Sequence, residues 1–234
     1  MVRIISLGVP ELDRSLGGGI PHPSLTSIEG EHGSGKTVFS QQIAFSMLRD
    51  GMRVCVISTE STIREYLKMM KSVKLDATDY FISGAFKFYS LHVRGGKWSE
   101  YLFPLFLRVV VNFLEVKSSA YDCVVIDDLS ALSLGVKSSE FLTFITRMKN
   151  LTSEGKTIVL TFHPKFLREE IVRNLKASSD VYFRLRNASF GTFQVKVLEI
   201  VKLWGSSGER KATVTLEVNP SLGLRVLPIQ EVSI

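Results

Sequence analysis

Apolar residues follow two alternating rhythms along the chain. Short, continuously apolar or β-branched runs occupy residues 25–29, 54–57, 124–126 and 157–162. Between them lie longer segments in which apolar positions return every three or four residues. Val38, Phe39, Ile43, Ala44 and Met47 do so within 36–48, and Ile63, Tyr66, Leu67 and Met70 follow the same spacing. The stretches 99–116 and 139–151 repeat it. The first rhythm predicts strands and the second helices. Gly51 is expected to end the 36–48 helix, and a further strand is expected over 87–92. Strand and helix in alternation argue for a parallel sheet, because parallel strands need crossover connections. Strands that are apolar on both faces suit central positions covered by helices on each side.

Beyond Asp180 the pattern changes. Residues 181–186 and 192–203 read as two strands separated by Asn187-Ala188-Ser189-Phe190-Gly191, whose composition signals a hairpin. Residues 211–218 and 224–229 add two more expected strands, whereas 133–140 and 164–179 read as loops. The fold class is therefore α/β. A mostly parallel sheet with helices on both faces carries a C-terminal antiparallel extension, in a single domain over residues 1–234.

Composition narrows the class. With 45% hydrophobic and 22% charged residues of both signs, the chain can bury enough apolar surface to fold. The most apolar stretch, 101–116, is interrupted by Pro104, Arg108, Asn112 and Glu115, whereas a membrane span needs about 20 mostly apolar residues. No secretory signal is read at the start, so a cytoplasmic location is expected. Cys55 and Cys123 both sit in apolar strand-like runs and suggest buried thiols rather than a disulfide. The net charge of +6 is compatible with nucleic acid, an anionic membrane face, an acidic protein partner, or no partner at all. Its lysines and arginines are dispersed.

The strongest local signal is Gly30-Glu31-His32-Gly33-Ser34-Gly35-Lys36-Thr37, which satisfies G-x-x-x-x-G-K-[ST] between an expected strand and an expected helix. Glycines let such a backbone curl until successive N–H groups point at phosphate oxygens, and the following helix adds the positive end of its dipole. Residues Gly30 to Val38 are thus the expected nucleotide-binding segment. In it Lys36 is expected to reach the β- and γ-phosphates of ATP, and the Thr37 hydroxyl to ligate Mg²⁺. The second metal anchor is expected at Asp127, which ends the apolar run Cys123-Val124-Val125-Ile126. Strand alternation turns the neighbouring Asp128 elsewhere, so either a cap for Leu129-Ser130-Ala131 or a catalytic role is open to it. Glu60 ends a second strand and is the candidate to orient or deprotonate water; a surface carboxylate opening the next helix is the plainer reading. Thr161 and His163 share a face at another strand end, where His163 either senses the γ-phosphate or is structural beside Pro164.

These segments, with the opening Ser6-Leu7-Gly8-Val9-Pro10-Glu11-Leu12-Asp13 and Leu16-Gly17-Gly18-Gly19-Ile20, resemble the RecA/KaiC-type ATPases in the same order over nearly the whole chain. Within that superfamily the likeness is to the archaellum accessory ATPases, through the Gly30-Glu31-His32-Gly33 loop, Ser58-Thr59-Glu60 and Leu160-Thr161-Phe162-His163-Pro164. The resemblance implies a RecA-like core that binds ATP, assembles into a homo-oligomeric ring and docks on the motor ATPase and the membrane platform at the cytoplasmic base of the archaellum. It also implies two departures. Clock-type relatives carry two adjacent glutamates where Thr59 precedes a lone Glu60 here. They also carry Lys-x-Arg on a late strand, reaching the neighbouring subunit's nucleotide, where this chain has Lys202-Leu203-Trp204. Lys202 is thus a candidate catalytic residue that acts in trans. An arginine finger is worth about 10³ to 10⁵ in rate, so its absence predicts ATP binding with slow turnover. A regulatory motor subunit is the leading expectation. The alternatives are a KaiC-like ATPase or autokinase and a recombinase-like DNA-binding ATPase; no stable nucleic-acid binding is expected.

Overall fold

A computed structural model of the chain describes residues 2–91, 103–190, 193–205 and 211–228. At the amino end β1 (Arg3–Ile5), α1 (Pro10–Ser15) and β2 (Ile20–His22) form a small antiparallel unit. Then follow β3 (Leu25–Gly30), α2 (Lys36–Arg49), β4 (Val54–Ser58), α3 (Ile63–Ser72), α4 (Thr78–Ile82), β5 (Phe86–Ser90) and α5 (Phe103–Val116). Next come β6 (Cys123–Asp127), α6 (Leu129–Leu132), α7 (Ser138–Ser153), β7 (Thr157–Phe162) and α8 (Glu169–Ser178). The chain closes with β8 (Val181–Phe190), β9 (Phe193–Leu203), β10 (Thr213–Asn219) and β11 (Gly223–Val226).

Among the described residues nine strands make one sheet, in the order β11-β10-β9-β8-β3-β7-β6-β4-β5. Strand alternation divides its side chains between two cores. Val54, Val56, Val125, Val159 and Phe183 face Phe39, Ile43 and Met47 of α2 and Tyr66 and Met70 of α3. Cys55, Ile57, Val124, Ile126, Ile158, Leu160 and Tyr182 face Val110 and Leu114 of α5, Phe144 and Met148 of α7, and Ile171 and Leu175 of α8. Both thiols are buried and unpaired. Truncating one of these fully buried side chains to alanine costs about 2–5 kcal/mol. This double cover leaves the carboxyl ends of β3, β4, β6 and β7 as the place where polar groups gather.

The sequence reading holds for the central strands and the helices α2, α3, α5 and α7, with ends shifted by a few residues. The residues 92, 99–102, 192 and 229 included in four expected strands and helices, and Gly191 of the expected hairpin segment, lie outside the described residues. Three differences are informative. The stretch 164–179 is not a loop, since it folds into a 3₁₀ turn (Pro164–Phe166) and α8; Ile171 and Leu175, four residues apart, anchor that helix. Residues 187–190 are not a turn, because β8 continues to Phe190 and pairs with β9 through Phe190 and Phe193. Finally, β8 runs parallel to β3, so the antiparallel part begins only at β9.

Candidate functional site

The Gly30–Thr37 segment leaves β3 and curls into α2 as the glycine pattern requires. Gly33 and Gly35 adopt positive φ of 69° and 96°. At Gly30 a Cβ would lie 2.4 Å from Ser34 Oγ and 2.8 Å from the Leu185 carbonyl oxygen, so no side chain fits. No side chain caps the N-terminus of α2, which leaves its first-turn N–H groups directed into the loop. The Ser34 hydroxyl is buried there without a hydrogen-bond partner. Lys36 is also buried and folds back to donate to the Glu31 carbonyl oxygen at 3.2 Å. Glu31, at the exposed apex, pairs with Lys165 at 2.6 Å, which holds its carboxyl below the usual range.

Asp127 comes to the loop from β6. Its Oδ1 accepts from Thr161 Oγ1 of β7 at 2.6 Å and from Thr37 Oγ1 at 3.4 Å. The carboxyl group is 2% exposed, and burial, opposed by the Thr161 hydrogen bond and reinforced by Asp128 and Glu60, pushes its pKa up to about 6. Asp128 turns away and caps α6, accepting from Ser130 N–H at 2.6 Å; of the two roles open to it, the cap is the one the structure shows. Its pKa too is raised, chiefly by burial. Thr59 explains part of its own presence. Its hydroxyl donates to the Asp128 carbonyl oxygen and accepts from the Asp128 N–H, both at 3.1 Å, while its N–H donates to the Asp127 carbonyl oxygen at 2.9 Å. A glutamate there has no equivalent hydroxyl with which to staple the end of β4 to β6.

Glu60 lies exposed at the end of β4, its N–H donating to Ser58 Oγ at 3.3 Å, and its charge is close enough to raise the Asp127 pKa. His163 shares the end of β7 with Thr161, but its ring packs at a tilt against His32 (centroids 4.8 Å apart) and Phe166 (4.4 Å), and Nδ1 accepts from the Lys165 N–H. Burial, followed by the charges of His32 and Lys36, lowers its pKa. Lys202 is not brought to the loop within the chain. It sits toward the opposite end of β9, opposed to Tyr182, donating to the Ala177 carbonyl oxygen at 3.0 Å, with its ammonium 5.6 Å from the Trp204 ring.

Two loop neighbours escaped sequence reasoning. Lys196 Nζ donates to the Gly33 carbonyl oxygen and to Asn187 Oδ1, both at 2.6 Å, and Asn187 Nδ2 donates to the His32 carbonyl oxygen at 3.5 Å. They meet only because residues 187–190 extend a strand. The hairpin that carries them is tied to β3 by the buried Glu29, which accepts from Tyr182 Oη and from Arg184 Nε at 2.8 Å; Arg184 and Arg186 both pair in turn with Glu199.

These groups fit a magnesium-bound polyphosphate. Free amides, a buried ammonium and an orphaned hydroxyl suit phosphate oxygens. One carboxylate with one threonine hydroxyl suits a hard cation that keeps waters and phosphate oxygens as its other ligands. Among the described residues no three His, Cys, Asp or Glu side chains converge into a metal cage.

Fold and loop together define a RecA-like nucleotide-binding ATPase, and the KaiC-type ATPase family model matches residues 5–231. The archaeal flagellar ATP-binding protein FlaH of Sulfolobus acidocaldarius is 39% identical over 227 residues, 97% of each chain. The FlaH of Methanocaldococcus jannaschii is 28% identical over 228 residues, covering 95% of this chain and 94% of its own. A crystal structure of flagellar accessory protein FlaH from the latter organism superposes with a TM-score of 0.83 at 26% identity, covering 98% of this chain and all of that one. The chain belongs to the KaiC-type ATPases and, among them, to the FlaH family.

Proposed function

We propose that this chain binds Mg²⁺-ATP in the Gly30–Thr37 cradle and serves as a regulatory and assembly subunit of the archaellum motor. The observation that carries the nucleotide reading is one constellation: an uncapped helix N-terminus behind the loop, Lys36 folded into it, and Thr37 within 3.4 Å of the buried Asp127 carboxylate. Lys36 would exchange the Glu31 carbonyl oxygen for phosphate oxygens, and Thr37 with Asp127 would hold the cation, which neutralises charge on the phosphates. Thr161 fixes the Asp127 carboxylate toward Thr37. Glu60 stands at the neighbouring strand end as the group that would polarise water.

Turnover is slow or negligible in this reading. Two residues after Lys202 stands Trp204, where the related ATPases place the arginine that reaches a neighbouring subunit's nucleotide, so the strong transition-state charge of a finger is missing. Nucleotide state then acts by differential affinity for two conformations, controlling ring assembly and docking to the motor ATPase on the cytoplasmic face of the archaellum base. The names of the FlaH relatives support the motility assignment, and among the described residues no helix is long and apolar enough to cross a membrane. A KaiC-like ATPase is the second reading, favoured by the position of Glu60 beside Asp127.

The test incubates the chain with ATP and Mg²⁺, then identifies the retained nucleotide and measures the mass of the oligomer and the capture of the motor ATPase. Retained ATP, an enlarged oligomer and capture weakened by Lys36→Ala are expected. Capture that is equally strong with Lys36→Ala overturns the switch. Fast hydrolysis abolished by Glu60→Gln favours the second reading.

A further inference from the structure

We infer that Lys196 and Asn187, the opposed pair on the β8–β9 hairpin, form a second wall of the phosphate cradle and bind the nucleoside end of a nucleoside polyphosphate, Lys196 through its α-phosphate. The inference rests on the nucleotide reading above and adds to it a contact that the loop motif does not contain.

The register places the pair where such a contact needs it. The last residue of β3 to pair with β8 is Gly30, opposite Leu185. Beyond that point β8 has left β3 behind, and the hairpin continues through Arg186–Val197 and Asn187–Lys196 with β10 still paired to the far side of β9, so its β8 edge overhangs the loop. The lysine side chain runs along the start of α2, its Cγ lying 3.9 Å from where a Cβ on Gly35 would stand. From there Nζ reaches the Gly33 carbonyl oxygen and Asn187 Oδ1.

Its charge is uncompensated. An ammonium has three donors, and the two oxygens that accept from this one, on Gly33 and Asn187, are both neutral. Among the described residues no carboxylate lies within ion-pairing distance of it, whereas Arg184 and Arg186 on the same hairpin share Glu199. Partial burial without a counter-charge lowers the lysine's pKa.

The sheet order supplies direction. Thr37, Asp127 and Thr161 gather on the β7–β6 side of β3, and Lys196 with Asn187 stands on the β8–β9 side. A polyphosphate whose terminal phosphate meets the metal pair must leave the loop toward the hairpin. Lys196 therefore meets the α-phosphate, and Asn187, with one amide donor and one acceptor released, meets the ribose or base.

The experiment measures equilibrium affinities for ATP and for ADP, each with Mg²⁺, in the unaltered chain and in Lys196→Met, Lys196→Gln and Lys196→Arg. Thermal melting confirms that each variant is folded. Losing a charge-assisted hydrogen bond to phosphate predicts a loss of about tenfold or more in Lys196→Met. The loss is equal for ATP and ADP, because the two share the α-phosphate. Lys196→Gln keeps amide donors for Gly33 and Asn187 but no charge, and is expected to lose as much. Lys196→Arg is expected to recover most of it. Glutamine binding as tightly as lysine overturns the inference in favour of a loop brace. A loss confined to ATP overturns the assigned direction, and affinities unchanged in all variants overturn the contact itself. If the unaltered chain binds neither nucleotide, the proposed function fails and this inference fails with it, a result distinguishable from the other three.

Discussion

Replacing Asp127 by asparagine should stabilise the nucleotide-free protein at alkaline pH while removing its metal anchor. The carboxylate is 2% exposed, with two threonine hydroxyls as its hydrogen-bond partners and no cation within ion-pairing distance among the described residues. Burial raises its pKa from the ordinary 3.8 to about 6. A folded-state pKa above the unfolded one means that the protonated form favours folding. Its contribution is fully present below about pH 4 and is lost as pH rises through 6, about two pH units or roughly 3 kcal/mol by pH 8. Asparagine has the same shape, offers an oxygen to Thr161 and Thr37, and carries no charge. Its amide N–H₂ finds no ready partner, which offsets about 1 kcal/mol of the gain. The net expectation at pH 8 is about 2 kcal/mol in favour of Asp127→Asn, about 4–8 °C in Tm for a chain of this size. The assay is thermal or urea unfolding in EDTA from pH 4.5 to pH 8. The two proteins should differ least at pH 4.5 and diverge through pH 6, and added Mg²⁺ with ATP should stabilise only the parent. Parallel stability curves across that range, or a variant less stable at pH 8, would refute the argument that Asp127 is a buried, uncompensated charge awaiting a cation.

Three further outcomes follow from the same geometry. Thr161→Val keeps the shape of the side chain but removes the hydroxyl nearest Asp127 Oδ1, so unfolding in EDTA at pH 8 should show a loss of about 2 kcal/mol that shrinks at pH 5, where the carboxyl is protonated. Gly30→Ala drives a Cβ against Ser34 Oγ and the Leu185 carbonyl oxygen; a stability loss of about 1–3 kcal/mol is expected by thermal melting, with ATP affinity falling at least as steeply. Tyr182→Phe leaves buried Glu29 with Arg184 alone and should cost about 1.5–3 kcal/mol in chemical denaturation, because the lost hydrogen bond is made to a charge.

What the chain reveals without coordinates depends on how local each feature is. The loop, α2 and the apolar β6 strand ending in Asp127 follow from motif and period alone. Their chemistry is packed into a few consecutive residues and their burial on both faces leaves continuous apolar runs. Helix α8 was hidden because only Ile171 and Leu175 are buried among charged neighbours; the acidic pair Glu169-Glu170 at its first turn was the available signal. The hairpin is legible but its first strand reads too short, because Asn187-Ala188-Ser189 has the composition of a turn. Its extension is decided by pairing with β9, a partnership that no local pattern encodes. Lys196 was invisible for the same reason, since its place over Gly33 is a fact of register. Lys202, read from resemblance, is remote from the loop in its own chain, and any role for it belongs to contact between copies.

The most direct test of the central claim is a crystal structure grown with Mg²⁺ and a non-hydrolysable ATP analogue. The account predicts the polyphosphate in the Gly30–Thr37 loop, Lys36 Nζ moved from the Glu31 carbonyl oxygen to phosphate, and the cation between Thr37 Oγ1 and Asp127. An analogue bound elsewhere, with Lys36 still held on Glu31 and no cation beside Asp127, would contradict it.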